Sequence, residues 1–214
     1  MRRIYILCEG QTEESFINTV LYEYFLGFGI VVVPIIVTTS KTIAGKSKGG
    51  FSSYRKFKKE LSVTCKGHKN ELVTTMIDYY ALPEDFPEYD YSDKDIYKKI
   101  SAIERAVEKD IGVKNLSVYI SLHEFETLLY SDPNAFIHLD KDINKEIDDV
   151  VQEFGNVEFI NKSPTTAPSK RIKTFYDGYS KVSDGTKLAI KIGIRKMMQK
   201  CRHFKEWIDK LKSI

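Results

Sequence analysis

A chain of 214 residues with 42% hydrophobic and 29% charged side chains is composed like an ordinary folded protein, long enough for one sheet with its covering helices, and not like a disordered tail. Its 33 basic and 30 acidic side chains leave a net charge of +3, too small to signal a polyanionic partner by itself, so only local clusters are informative. The three cysteines lack CxxC spacing and no signal-peptide-like segment precedes the first apolar run, which points to reduced thiols in a cytoplasmic protein; no apolar stretch approaches the roughly 18 to 20 residues that cross a bilayer.

In chain order, apolar runs at Arg3 to Leu7, Gly29 to Val37, Leu72 to Ile77 and Leu116 to Ser121 read as strands, with helical patterns between them. That alternation predicts an α/β fold with a mainly parallel sheet flanked by helices. The first helix, Glu13 to Leu26, presents Phe16, Ile17, Val20, Leu21, Tyr24 and Phe25 on one face, with Thr12 as its expected N-cap. Lys41 to Gly50, rich in Gly, Ser and Lys, reads as a basic loop before a helix around Tyr54 to Val63. Tyr79 to Asp95 reads as a long acidic loop with two prolines, followed by a helix near Ile96 to Lys109. Beyond Asp132 the chain turns helical, near 142–153, 168–176, 186–198 and 203–212. Residues 1–132 are expected to form the α/β core and 133–214 a helical portion packed on it, within a single domain.

Acids recur where these strands end. Glu9 follows the first strand, beside Gly10, where the chain is expected to turn; Asp78 ends the third; His123, Glu124 and Glu126 follow the fourth. Open parallel sheets place their ligand crevice at that end. Oxygen-only donors suit Mg²⁺ or Mn²⁺, so Glu9, Asp78 and Glu124 form the expected metal set. Glu124 and Glu126 share a face if the strand continues and diverge if a helix begins, and Glu124 is favoured. Glu13 is an auxiliary acid, and Glu14 a first-turn charge that complements the helix dipole. His123-Glu124 is not a zinc-protease signature, because position 127, where HExxH needs its second histidine, is Thr. His123 serves to orient a carboxylate, bind a phosphate or cap.

The ordered set Cys8-Glu9-Gly10-Gln11-Thr12-Glu13, Lys48-Gly49-Gly50, Thr75-Met76-Ile77-Asp78-Tyr79-Tyr80, His123-Glu124-Phe125-Glu126 and Ala167-Pro168-Ser169-Lys170-Arg171-Ile172 resembles an uncharacterised Toprim-like family, a domain of unknown function similar to RloB-type proteins of bacterial and archaeal defence loci and to OLD-type Toprim nucleases. The resemblance spans nearly the whole chain. It implies a Toprim-like, Rossmann-like fold, in which a glutamate after the first strand and aspartates after a later one gather divalent metal for phosphodiester cleavage. Glu9 matches the first and Asp78 the second; Tyr80 stands where Toprim enzymes carry the second aspartate of DxD. The resemblance also implies a role in defence against mobile elements and an ATPase partner encoded nearby.

Lys46 and Lys48 in the basic loop, and Lys170 and Arg171 at the start of a later helix, are the expected contacts to nucleic-acid phosphates. Lys170 and Arg171 would occupy a helix first turn, against the dipole, unless an anion binds there; Ser169 is the expected cap. These residues support two readings, a Mg²⁺- or Mn²⁺-dependent nuclease and a non-catalytic nucleic-acid-binding or regulatory subunit. A small-molecule phosphate enzyme is disfavoured, because neither a GxGxxG nor a GxxxxGK[ST] loop occurs.

Overall fold

Alternating burial along the strands organises the molecule. In the computed structural model, which describes residues 1–37, 52–140, 142–161 and 166–213, the strands are β1 (Arg2–Cys8), β2 (Ile30–Ile36), β3 (Leu72–Asp78), β4 (Leu116–Ser117) and β5 (Ile120–Ser121). They form a parallel sheet in the order β2-β1-β3, with β4 and β5 both pairing β3 on its far side. Ile4, Ile6 and Cys8 of β1 face one hydrophobic cluster, and Leu7 faces another with Tyr5 packed beside it. Both faces are therefore covered, as a parallel sheet requires.

The helices are α1 (Gln11–Phe16), a π-helical turn (Ile17–Leu21), α2 (Tyr22–Leu26), α3 (Tyr54–Gly67), α4 (Ile96–Ile111), α5 (Ile143–Phe154), α6 (Pro168–Phe175), α7 (Ser183–Ile192), α8 (Ile194–Lys200) and α9 (Arg202–Lys212). Phe57, Leu61, Ile100, Ile103 and Val107 of α3 and α4 pack on the Leu7 face. Phe16, Ile17, Leu21 and Phe25 share the opposite face with Leu188, Met197, Phe204, Trp207 and Ile208 from the C-terminal helices. The described residues beyond 133 thus contribute to the same core as the sheet. Trp207 stacks on Tyr119 at 4.3 Å and donates its indole N–H to Thr74 Oγ1 at 2.9 Å, tying α9 to β3.

The predicted fourth strand is split. At Tyr119 the backbone pairs with a side chain of β3: its N–H donates to Thr75 Oγ1 at 2.9 Å, and the Thr75 hydroxyl donates to its carbonyl at 2.7 Å. The N–H groups of Val118 and Ile120 donate to Glu108 and Glu104 of α4, so the helix supplies the hydrogen bonds a further strand would have made. On the other rim, the Val37 N–H donates to Cys8 O, and by alternation the nitrogen of Pro34 faces outward, where a proline breaks no ladder bond.

Other expectations are corrected. The first helix starts at Gln11 with Gly10 as its N-cap, so Thr12 lies inside it and caps nothing. Gly10 is extended, at φ −161°, and makes no turn that only glycine permits. Residues 186–198 are not one helix: Gly193, at φ +73°, separates α7 from α8. Lys46 and Lys48, with Lys41 and the Lys48-Gly49-Gly50 motif, lie outside the described residues.

Candidate functional site

β1 connects to β2 on one side of the sheet, while β3 is flanked by β4 and β5 on the other, so the strand order reverses between β1 and β3. At such a switch point the connecting chains part beyond the strands' carboxyl ends and leave a crevice. Glu9 and Asp78 stand there. Cys8 is level with Met76, and the Asp78 N–H donates to Glu9 Oε1 at 2.9 Å. Asp78 is level with Ser121 of β5, which carries the chain into Leu122-His123-Glu124.

Glu124 and Glu126 meet at one ammonium. Glu124 ends the extended stretch and Glu126 lies in the first turn of the 3-10 helix Phe125–Ser131, yet Lys181 Nζ lies 3.1 Å from Glu124 Oε1 and 3.3 Å from Glu126 Oε2. The expected divergence does not separate them. The Ser169 N–H donates to Glu124 Oε2 at 3.0 Å and the Ser169 hydroxyl to Glu124 Oε1 at 3.1 Å. Ala167 is the N-cap of α6 and Pro168 its first residue, so Ser169 is not the cap expected of it; its N–H is one of the free donors of the first turn. The anion called for at this helix N-terminus is therefore present, and it is Glu124 of the same chain.

The charges do not balance locally. Burial raises the Asp78 carboxyl well above its ordinary range, with Glu9, Glu13, Glu126 and Glu124 adding to the effect. Burial likewise pushes Glu9 up to about 7, against the Asp78 hydrogen bond and with Glu13 reinforcing it. Glu13, 8% exposed, is raised chiefly by burial. Glu126, 1% exposed, is raised to about 7 by burial, although Lys181 opposes the shift, and its Oε1 is buried without a hydrogen-bond partner. Burial alone would lower Lys181, but Glu126 and Glu124 hold it above its ordinary value. His123 is pushed down to about 4 by burial and is neutral at pH 7; the Asn161 amide lies 3.4 Å from its Nδ1. Burial followed by the repulsion of Glu13 and its neighbours drives the Cys8 thiol up to about 12, leaving it inert at neutral pH.

The donor set has the chemistry for a hard divalent cation: all oxygen, more carboxylates than ammonium groups, and one orphaned carboxylate oxygen. Among the described residues, however, no three Asp, Glu, His or Cys side chains are arranged to hold one ion together, so Glu9, Asp78 and Glu124 are not a preformed cage. Mg²⁺ is usually held by one or two carboxylates, with water and substrate phosphate completing its shell, and the Glu9 and Asp78 pair fits that requirement.

Lys181 escaped the sequence reading because nothing in Tyr179-Ser180-Lys181 has a pattern. Its position depends on tertiary packing: Tyr179, two residues before it, is buried, and Gly185 lets α7 approach the Phe125–Ser131 turn. A Cβ at Gly185 would lie 3.0 Å from Tyr179 Oη and 3.4 Å from Phe125. Of the two predicted phosphate contacts within the described residues, Lys170 is exposed. Arg171 is spent on its own chain, donating to Thr166 O at 2.9 Å and lying 3.9 Å from Glu153 and 5.1 Å from the Phe154 ring centre.

A family model described as a domain of unknown function, DUF4276, matches residues 8–212. No curated protein matches the chain. Among solved structures, the chain is similar to the C-terminal region of the Xanthomonas campestris pv. campestris OLD protein, at 14% identity and a TM-score of 0.38, over 100% of this chain and 99% of that one. No helix of the described residues is long and apolar enough to cross a membrane.

Proposed function

The chain belongs to the DUF4276 family, whose model spans nearly all of it, and from that premise we propose that it hydrolyses phosphodiester bonds of nucleic acid with a divalent metal, in the manner of a Toprim-like nuclease. The observation that carries the reading is the placement of Glu9 and Asp78 at the switch point, where the Asp78 backbone N–H donates to the Glu9 carboxylate, within an acidic group too rich in carboxylates for the lysine beside it. Glu9 and Asp78 would hold Mg²⁺ or Mn²⁺, with Glu13 behind them and Glu124 able to join once it releases Lys181. A bound ion supplies an activated water and neutralises charge on the phosphate oxygens. Lys181, 42% exposed along its side chain, presents an ammonium to an incoming phosphate. Glu126, raised to about 7, can take or return a proton near neutral pH. Water adds to phosphorus, the bond to the leaving sugar oxygen breaks, and that oxygen takes up the proton. His123, neutral and weakly basic, serves as a hydrogen-bonding support and not as the acid.

The second reading, a non-catalytic nucleic-acid-binding or regulatory subunit, draws on Tyr80 in place of a second aspartate and on the lack of a three-ligand set among the described residues. A defence role and an ATPase partner rest on the sequence resemblance alone. Cleavage of DNA and RNA oligonucleotides in Mn²⁺ and in Mg²⁺ separates the readings. Wild type should cleave and Glu9→Gln should lose at least about 100-fold, as expected when a group acting on developing charge is removed; undiminished activity in Glu9→Gln disposes of the site.

A further inference from the structure

Tyr79 and Tyr80 follow Asp78 in the 3-10 turn Tyr79–Ala81, and the structure uses them differently. Tyr79 packs near Tyr89, ring centres 6.3 Å apart, with Lys99 Nζ 5.8 Å from one ring and 5.4 Å from the other. Tyr80 is 43% exposed and makes no ring stack, cation contact or side-chain hydrogen bond among the described residues. A single exposed aromatic is unremarkable on an arbitrary surface. This one stands two residues beyond the aspartate at the switch point, and two residues of chain span at most about 7 Å. A tyrosine side chain is long enough to carry its ring from there to a molecule held at Asp78, and Tyr80 stands where the Toprim-like resemblance places a second carboxylate.

We propose that Tyr80 is a stacking platform for the nucleobase next to the scissile phosphate, and that the substrate is accordingly single-stranded nucleic acid. The proposal rests on the phosphodiester reading above for the position of the phosphate. In a duplex both faces of a base are covered by its neighbours, so a protein ring can take a base only where the strand is unpaired. Stacking on an aromatic side chain tolerates any base, because each has a π-face, and it contributes about 1–3 kcal/mol per base. Where the resemblance would place a metal-binding carboxylate, such a ring offers a contact to the base instead of a grip on the metal, and favours an unpaired strand.

The test measures binding apart from turnover, by fluorescence anisotropy of a labelled oligonucleotide with Ca²⁺ in place of Mg²⁺ or Mn²⁺. The probes are a single strand, its duplex, and the same strand carrying abasic sites, each against wild type, Tyr80→Phe, Tyr80→Trp and Tyr80→Ala, with thermal melts showing that all four fold. Tyr80→Ala should bind the single strand about 5- to 100-fold more weakly, the equivalent of one lost stack. Tyr80→Phe should bind within about twofold of wild type and Tyr80→Trp at least as tightly, while abasic sites should erase the difference between wild type and Tyr80→Ala. Equal binding by wild type and Tyr80→Ala, or an equal loss on duplex and abasic strands, overturns the proposal. Cleavage lost in Glu9→Gln but unchanged in Tyr80→Ala removes the stacking platform and leaves the reaction standing. A single-strand preference that depends on Tyr80, without metal-dependent cleavage by wild type, retains the platform and removes the reaction.

Discussion

Glu158 and Glu126 are both glutamates almost wholly removed from solvent, yet the chain provides for them in opposite ways. Glu158 accepts the N–H groups of His203 and Phe204 at the start of α9, at 3.0 and 3.2 Å, and the Tyr97 hydroxyl at 2.8 Å. Nearby, Glu104 accepts from the Ile120 N–H and lies 3.0 Å from His203 Nε2. Those acids have as many donors as they need, and they join α9 to α4 and the sheet. At the strand ends, by contrast, Glu9, Glu13, Asp78, Glu124 and Glu126 draw mainly on the Asp78 N–H, Ser169 and Lys181, and Glu126 keeps one oxygen unpaired. A buried acid by itself says little about function. A deficit of donors around several of them is informative, because a folded chain tolerates it only where something else completes the site.

That contrast can be broken most forcefully at Glu158. Glu158→Ala takes the acceptor from two buried helix N–H groups and from the Tyr97 hydroxyl, which keeps only the Asn156 amide, and should cost about 3–5 kcal/mol in denaturant unfolding. A loss below about 1 kcal/mol would mean that water replaces the carboxylate readily and that the two regions are not so different. At the strand ends the sign reverses. The carboxyl of Glu126 is raised from 4.5 to about 7, so the stability linked to it is fully present below pH 4.5 and is lost as the pH rises through about 7. Glu126→Gln should therefore stabilise the metal-free protein by about 1–3 kcal/mol at pH 8 and change it little at pH 4. Added Mg²⁺ should raise the melting temperature of wild type more at pH 8 than at pH 5, since protonated carboxylates bind no metal. A pH-independent effect of the substitution would show that burial does not penalise the ionised carboxylate. The smallest effect is expected at Gly185, where an added methyl presses on Tyr179 and Phe125: Gly185→Ala should cost about 1 kcal/mol and disturb Lys181 before it disturbs the sheet. Activity that falls further than stability would identify Gly185 as a spacer for the lysine.

Much of the sheet was legible from local signals. The apolar runs of β1, β2 and β3, bounded by glycine, lysine-rich or acidic segments, needed no distant information, and Glu9 and Asp78 could be placed because each simply follows its strand. The break between β4 and β5 could not be read locally, since it depends on the Thr75 hydroxyl from a strand 44 residues away. The capping errors had local causes: Thr12 and Ser169 are good cap formers, but Gly10 and Ala167 precede them at the junctions where the chain enters the helix, and Ser169 holds Glu124 instead. Glu124 and Glu126 were assigned by period, whereas their meeting is decided by Lys181, 55 residues beyond Glu126. Strand-end acids are thus written in the neighbourhood of each strand, and the cation that joins them is written in the packing of α7.

The finishing of the sheet's two rims has a consequence for how this protein meets others. Pro34 withholds a donor on the outer side of β2, and on the opposite rim Glu104 and Glu108 occupy the backbone donors of Val118 and Ile120. Borrowing a strand from a neighbour, the simplest way for two β-containing proteins to adhere, is discouraged on both sides. Growth by edge-to-edge stacking is opposed by the same means. Traffic with other molecules is left to the helical flanks and to the carboxyl ends of the strands, where the acids are gathered.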